Sequence, residues 1–125
     1  MRDPSATQNT YPYQNEPNWS RAERAIARKV FDAALKRELQ GVMQEAKQKA
    51  NQIKEPGDVW ALERNLTRRR KDIDRKYDFR WSRLTPTFGR LLCERRITEA
   101  ELRGLGEDNV KAIRSCAKIL SEDAA

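Results

Sequence analysis

The sequence predicts an all-α fold, and three observations carry that prediction. Apolar residues recur at steps of three and four over long stretches, capping signals open the candidate helices, and no alternating strand pattern of useful length occurs. The chain has 125 residues, 38% hydrophobic and 36% charged, which suits a single domain built of exposed helices. The expected architecture is a long antiparallel helical hairpin forming a homodimer, with a small C-terminal helical head. Its divisions are a flexible N-terminal tail over 1–18, the hairpin over 19–84 and the head over 85–125.

The tail is polar and turn-rich around Pro4, Asn9, Tyr11-Pro12-Tyr13 and Pro17, with no helical or strand period. Order begins at Trp19-Ser20, where Ser20 and Glu23 form a capping box and Trp19 occupies the position of a hydrophobic staple. An apolar stripe then runs through Ile26, Val30, Ala34, Leu35, Leu39, Val42, Met43, Ala46, Ala50 and Ile53. It predicts one helix from Ser20 to near Lys54, about 50 Å long at 1.5 Å per residue. Pro56-Gly57 reads as a tight turn, and Asp58 as the cap of a second helix running unbroken to Pro86, with Val59, Leu62, Leu66, Ile73, Tyr77 and Leu84 on its buried face. Two antiparallel helices bury one face each, so an apolar flank remains, and isologous dimerisation is the simplest way to cover it. The head divides into three short helices with a small core of their own. Thr85-Pro86 opens the first, with Phe88, Leu91 and Leu92. The Thr98–Glu101 capping box opens the second, which Gly104 and Gly106 stop, and Asp108 leads a third bearing Val110, Ile113, Ala117 and Leu120.

The residue inventory narrows function. The chain has no histidine and only Cys93 and Cys116, which removes triad, imidazole-base and mixed Cys/His metal chemistry. The two cysteines read as small core residues, and no cofactor, metal or catalytic site is expected. No apolar run is long enough to cross a membrane and no secretory leader is visible, so a cytoplasmic protein is expected. Glu38, Glu45 and Glu55 read as ordinary exposed helix residues. The net charge of +7 invites an anionic partner, and a nucleic-acid binder using Arg68, Arg69 and Lys71 is the alternative reading. Against it, the basic residues between Arg64 and Arg83 wrap around the helix, and Asp74 and Asp78 look paired with Arg70, Arg75 and Lys76.

Two residues break the helical pattern. Arg70 falls among Leu66, Ile73 and Tyr77 on the apolar face, where an unpaired charge is costly; it either holds a carboxylate across a dimer or recognises a partner. Trp60 has polar helical neighbours, Glu63, Arg64 and Thr67, and reads as packing at the helix start, as a contact with the partner chain of a dimer, or as an aromatic anchor for another protein. Trp81 reads as packing between hairpin and head.

Trp19-Ser20-x-Ala22-Glu23 and Phe31-x-x-Ala34-x-x-Arg37-Glu38-Leu39 resemble the first helix of the fluorescence recovery protein family. The likeness continues through Asp58-x-Trp60-x-Leu62, Arg70, Ile73-Asp74-x-Lys76-Tyr77-Asp78-x-Arg80 and Phe88-x-x-Leu91-Leu92, covering about residues 18 to 120. The resemblance implies a non-enzymatic, dimeric regulator. Such a protein binds the light-activated orange carotenoid protein through that protein's C-terminal domain and speeds its return from the red to the orange form. It further implies contacts at Trp60 and Arg70, and the partner-binding set expected here is Trp60, Glu63, Arg64, Arg70 and Phe88, with Glu63 and Arg64 tuning partner choice. The chain departs from the family pattern at Glu63-Arg64, where a His-Asp pair is expected, at Pro86 and Gly104 in place of aromatics, and at Ala112 in place of a lysine. These departures fit a divergent or non-cyanobacterial homologue, whose partner is then the carotenoid protein, a homologue of its C-terminal domain, or a different protein.

Overall fold

The computed structural model describes residues 18–124; apart from Asn18, the tail expected over 1–18 lies outside the described residues. Four α-helices follow in order: α1 (Arg21–Asn51), α2 (Pro56–Lys76), α3 (Leu84–Cys93) and α4 (Glu107–Ala124). Short 3-10 turns occupy Trp81–Arg83 and Glu99–Leu102, and among the described residues there is no β-strand.

Helix α1 opens where its capping box predicts. Ser20 Oγ accepts from Glu23 N at 3.1 Å, and Glu23 Oε1 accepts from Ser20 N at 3.0 Å. Trp19 does not serve as a local staple. Its ring is buried against Trp81 and Phe88, with ring centroids 6.3 and 6.2 Å away, so it ties the start of α1 to the head.

Helix α2 begins two residues before the expected cap. Pro56 stands in its first turn, and the turn itself is Gln52–Glu55. Asp58 is inside the helix and reaches back, accepting from Lys54 N at 3.0 Å and Glu55 N at 3.1 Å. The two amides hold its carboxyl below the ordinary carboxylate value. Nor does α2 run on to Pro86: it ends at Lys76. Tyr77 leaves helical geometry at φ −88°, ψ 82°, and Tyr77 and Phe79 both turn their rings edge-on to Phe31, 5.4 and 4.8 Å away. A helix would have splayed those rings apart; an extended step, with period two, sends both to the same side. Asp78 seals the break by accepting from Arg80 N at 3.1 Å and from its guanidinium at 2.6 Å, which hold its carboxyl at about 2.

The core joins the N-terminal half of α1 to the head. Ala27, Val30, Phe31 and Ala34 pack with Leu84, Phe88, Leu91, Ile97, Leu102, Leu105 and Ile113. The head therefore has no separate core. Its three pieces bury too little apolar surface alone and use α1 as their fourth wall. Helices α3 and α4 approach so closely that a Cβ on Gly89 would overlap the Cβ of Cys116. Gly104 adopts φ +101°, and a Cβ there would lie 2.7 Å from Ile26 Cδ1, so a side chain at this position would be strained. Cys93 and Cys116 are free and half-buried.

Beyond the core, α1 and α2 continue as a two-helix arm. Lys76 Nζ meets Glu38 Oε2 at 2.7 Å, and Arg69 Nε lies 3.8 Å from Glu45 Oε1, which sets the antiparallel register. Glu38 is 1% exposed, not the solvated residue expected. Tyr77 Oη also donates to it at 2.8 Å, and Lys76 donates in turn to Glu94 at 2.7 Å. Arg90 completes the group by bridging Glu94 at 2.8 Å and Asp72 at 3.0 Å. Burial together with the Glu38 hydrogen bond and charge pushes the Tyr77 phenol up. Burial acts upward on Glu94 as well, but hydrogen bonds from Lys76 and Arg90 outweigh it and hold that carboxyl below its ordinary value. This charged knot sits where arm, α3 and the end of α2 meet.

Candidate functional site

Helix α2 presents three different faces. The Arg69 and Lys76 pairs, with buried Ile73, mark the side against α1. At about 100° per residue, Val59, Leu66 and Arg70 fall on the flank next to that side. There Val59, Leu62 and Leu66 line a shallow groove of about 330 Å³ that Glu63, Thr67 and Arg70 rim. On α1, Leu35, Leu39 and Met43 line a second shallow groove of about 400 Å³. The antiparallel register turns both apolar strips to the same side of the arm: each lies about 90° from the contact line, in the sense that brings them together when the helices run oppositely. The exposures of Leu39, Met43 and Val59, 44%, 58% and 40%, mark this as an uncovered apolar face.

Trp60 stands away from that face and is 60% exposed. The reading of Trp60 as packing at the helix start is thereby removed, since no aromatic or cationic partner stacks on its ring among the described residues. Arg70 is exposed at the rim of the apolar groove, and no carboxylate of the described residues lies within ion-pair distance of it. Glu63 accepts from Thr67 Oγ1 at 3.0 Å, and Arg64 is exposed without an ion pair among the described residues. Phe88, expected at the contact surface, lies elsewhere. It has 0% exposure at the centre of the core, so it supports the fold and offers no surface to a partner. Trp81 does pack between α1 and the head, with Phe79 at 5.0 Å and the Arg24 guanidinium 4.8 Å over its ring.

The basic residues of α2 also sort differently from expectation. Arg69 faces Glu45, and Lys76 is buried in the charged knot, so Lys76 is not a surface partner of Asp74. Asp78 pairs with Arg80. Of those without an ion pair among the described residues, Arg70 rims the apolar groove, while Arg64, Arg68, Lys71 and Arg75 stand at spacings of four, three and four and form one stripe after Trp60. They border a groove of about 670 Å³ with Glu63, Thr67, Arg69 and Asp72. The spacing is visible in the sequence; what hides it there is the interleaving of Arg69, Arg70 and Lys76, which face Glu45, rim the apolar groove and enter the charged knot respectively. Among the described residues no cluster of His, Cys, Asp or Glu could hold a metal ion, and no helix is long and apolar enough to cross a membrane.

Fold and site define an all-helical chain with a core-anchored head and a projecting two-helix arm, whose exposed aromatic, cationic and apolar surfaces suit protein contact. The chain belongs to the fluorescence recovery protein family, described as a photoprotection regulator, whose profile matches residues 19–117. The fluorescence recovery protein of Synechocystis is 36% identical over 104 residues, covering 83% of this chain and 95% of that protein. The solved structure of the Synechocystis protein superposes with a TM-score of 0.78 at 36% identity, covering 81% of this chain and 99% of the other. That of the Fremyella diplosiphon protein gives the same TM-score at 34% identity, with the same coverages. The resemblance read from Trp19, Phe31, Trp60, Arg70 and Tyr77 is borne out, and so is the all-α fold.

Proposed function

We propose that the chain acts as a homodimeric, non-enzymatic regulator that binds light-activated orange carotenoid protein, or a homologue of its C-terminal domain, and speeds its return to the dark form. Family membership supplies the class of activity. The observation that carries the contact surface is an exposed Trp60 and an uncompensated Arg70 on one rigid helix, the residue types that dominate interface energetics. The uncovered face of Leu35, Leu39, Met43, Val59 and Leu66 is the surface a second copy would cover. Acceleration needs no bond chemistry: a partner that holds separated domains nearer to their reassociated geometry than to their open one lowers the barrier by its differential affinity.

The test is the dark decay of red-form absorbance of photoactivated orange carotenoid protein, with and without this chain. Acceleration is expected, with Trp60→Ala weakening partner binding by about 1–3 kcal/mol at unchanged helical circular dichroism, and Arg70→Ala acting in the same direction. A folded sample that leaves the decay unchanged would reject the carotenoid protein as partner.

A further inference from the structure

We propose that the outer face of α2 docks an acidic protein helix: Trp60 receives an apolar side chain at one end, and Arg64, Arg68, Lys71 and Arg75 pair with carboxylates along it. The inference rests on the reading of Trp60 as a partner contact and names the chemistry of what meets it.

The four cations are exposed and take no carboxylate among the described residues. Two carboxylates border the stripe, and one oxygen of each is engaged: Asp72 Oδ1 accepts from Arg90 at 3.0 Å and Glu63 Oε2 from Thr67 at 3.0 Å. From Trp60 to Arg75 the five side chains fall within an arc of about 80°. Along the axis the cations sit about 6, 4.5 and 6 Å apart. Carboxylates placed four, three and four residues apart on another helix repeat with that same spacing, so two helices laid side by side match charge to charge over about 16 Å. Duplex phosphates follow a different rule, one per strand about every 3.4 Å of axis on a curved path, which a straight stripe meets only briefly.

Charge and position argue against other occupants. The chain carries a net charge of +7, so a second copy would bring like charge to this face. Residues 1–17 hold only Asp3 and Glu16 against Arg2, too few to neutralise four cations. By the helical period the stripe lies on the side of the arm turned away from Leu39, Met43 and Val59, so it stays open when that apolar face is covered. Trp60 at one end gives the stripe polarity, because an acidic helix lying the other way would leave its apolar residue among cations.

The test uses the full chain and two fluorescein-labelled helical peptides of identical composition. One carries glutamates at the four-three-four spacing with a leucine one turn before them; in the other the glutamates are spread around the helix. Fluorescence anisotropy should show the matched peptide binding at least tenfold tighter than the scrambled one at 150 mM salt. Replacing all four cations by Gln (R64Q, R68Q, K71Q and R75Q) should abolish that preference, and Trp60→Ala should weaken only the matched peptide. Equal affinity for the two peptides would overturn the proposal. So would tighter binding of a single-stranded or duplex oligonucleotide than of the matched peptide, which would make the stripe a phosphate-reading surface. The two readings fail separately. A matched peptide that binds while carotenoid-protein recovery stays unchanged leaves the docking surface standing and removes the carotenoid partner. Recovery that depends on Trp60 with no preference between peptides does the reverse.

Discussion

A single buried carboxylate decides how the arm is held. Glu38 is enclosed with Lys76 and Tyr77 as its hydrogen-bond partners, and a charge so placed is tolerated only because each oxygen is answered. Truncation strands Lys76 on Glu94 alone and leaves the Tyr77 hydroxyl without its acceptor. Glu38→Ala should therefore lower unfolding stability by about 3 kcal/mol, read as a shift of the urea midpoint at unchanged slope. An exposed glutamate outside any cap or ion pair, such as Glu122, replaced in the same way should change the stability by less than about 0.5 kcal/mol. The sequence did not mark Glu38, because a glutamate on a charged helix looks the same whether it meets water or a lysine 38 positions away. The exposed outliers are different. Trp60 and Arg70 were visible as misfits of the helical period, and misfit is a local property.

At the scale of elements, the contact between α3 and α4 depends on Gly89, whose missing side chain lets the backbone of one helix rest on Cys116 of the other. Gly89→Ala places a methyl group in occupied space. It should cost about 1–3 kcal/mol through overpacking, despite the better helix propensity of alanine, and should lower Tm in thermal circular dichroism. A propensity effect alone would raise it. The same scale explains why two capped starts were legible and the end of α2 was not. Ser20–Glu23 and Thr98–Glu101 are local hydrogen-bond patterns written within four residues. The end of α2 at Lys76 has no breaker residue; the demand of Phe31 for both Tyr77 and Phe79 imposes it, and that demand comes from another helix.

For the whole molecule, the arm's apolar side and the carboxylates at the head and the start of α1 make separate predictions. Leu39→Glu with Met43→Glu puts charge on the uncovered face and should convert a dimer to a monomer in sedimentation equilibrium. The helical content should stay the same, since both residues lie outside the core. Acid should weaken the fold by a defined route. Burial acts to raise Glu23, yet its hydrogen bonds with Ser20, Asn109 and Gly106 prevail and hold it low; Glu94 behaves alike through Lys76 and Arg90, and Glu101 is lowered by Arg37. Each binds its proton less readily folded than unfolded. Stability is thus fully present above the unfolded value of 4.5 and is lost as pH falls through the lower folded values. Urea midpoints measured from pH 6 to pH 3 should be flat first and then fall, and Glu23→Gln should make the fall shallower.

The sequence by itself determined the helical class, the capped starts of α1 and of the Thr98 turn, the family through the order and spacing of its motifs, and the two surface misfits on α2. All of these are encoded within a few residues or in a repeating period. Only the tertiary structure decided that α1 supplies a wall of the head's core, that Phe88 is wholly enclosed, that Glu38 and Lys76 are buried together, and which of the arginines on α2 remain free. Those outcomes depend on which distant side chain competes for the same space or the same charge, and a one-dimensional period carries no record of that competition.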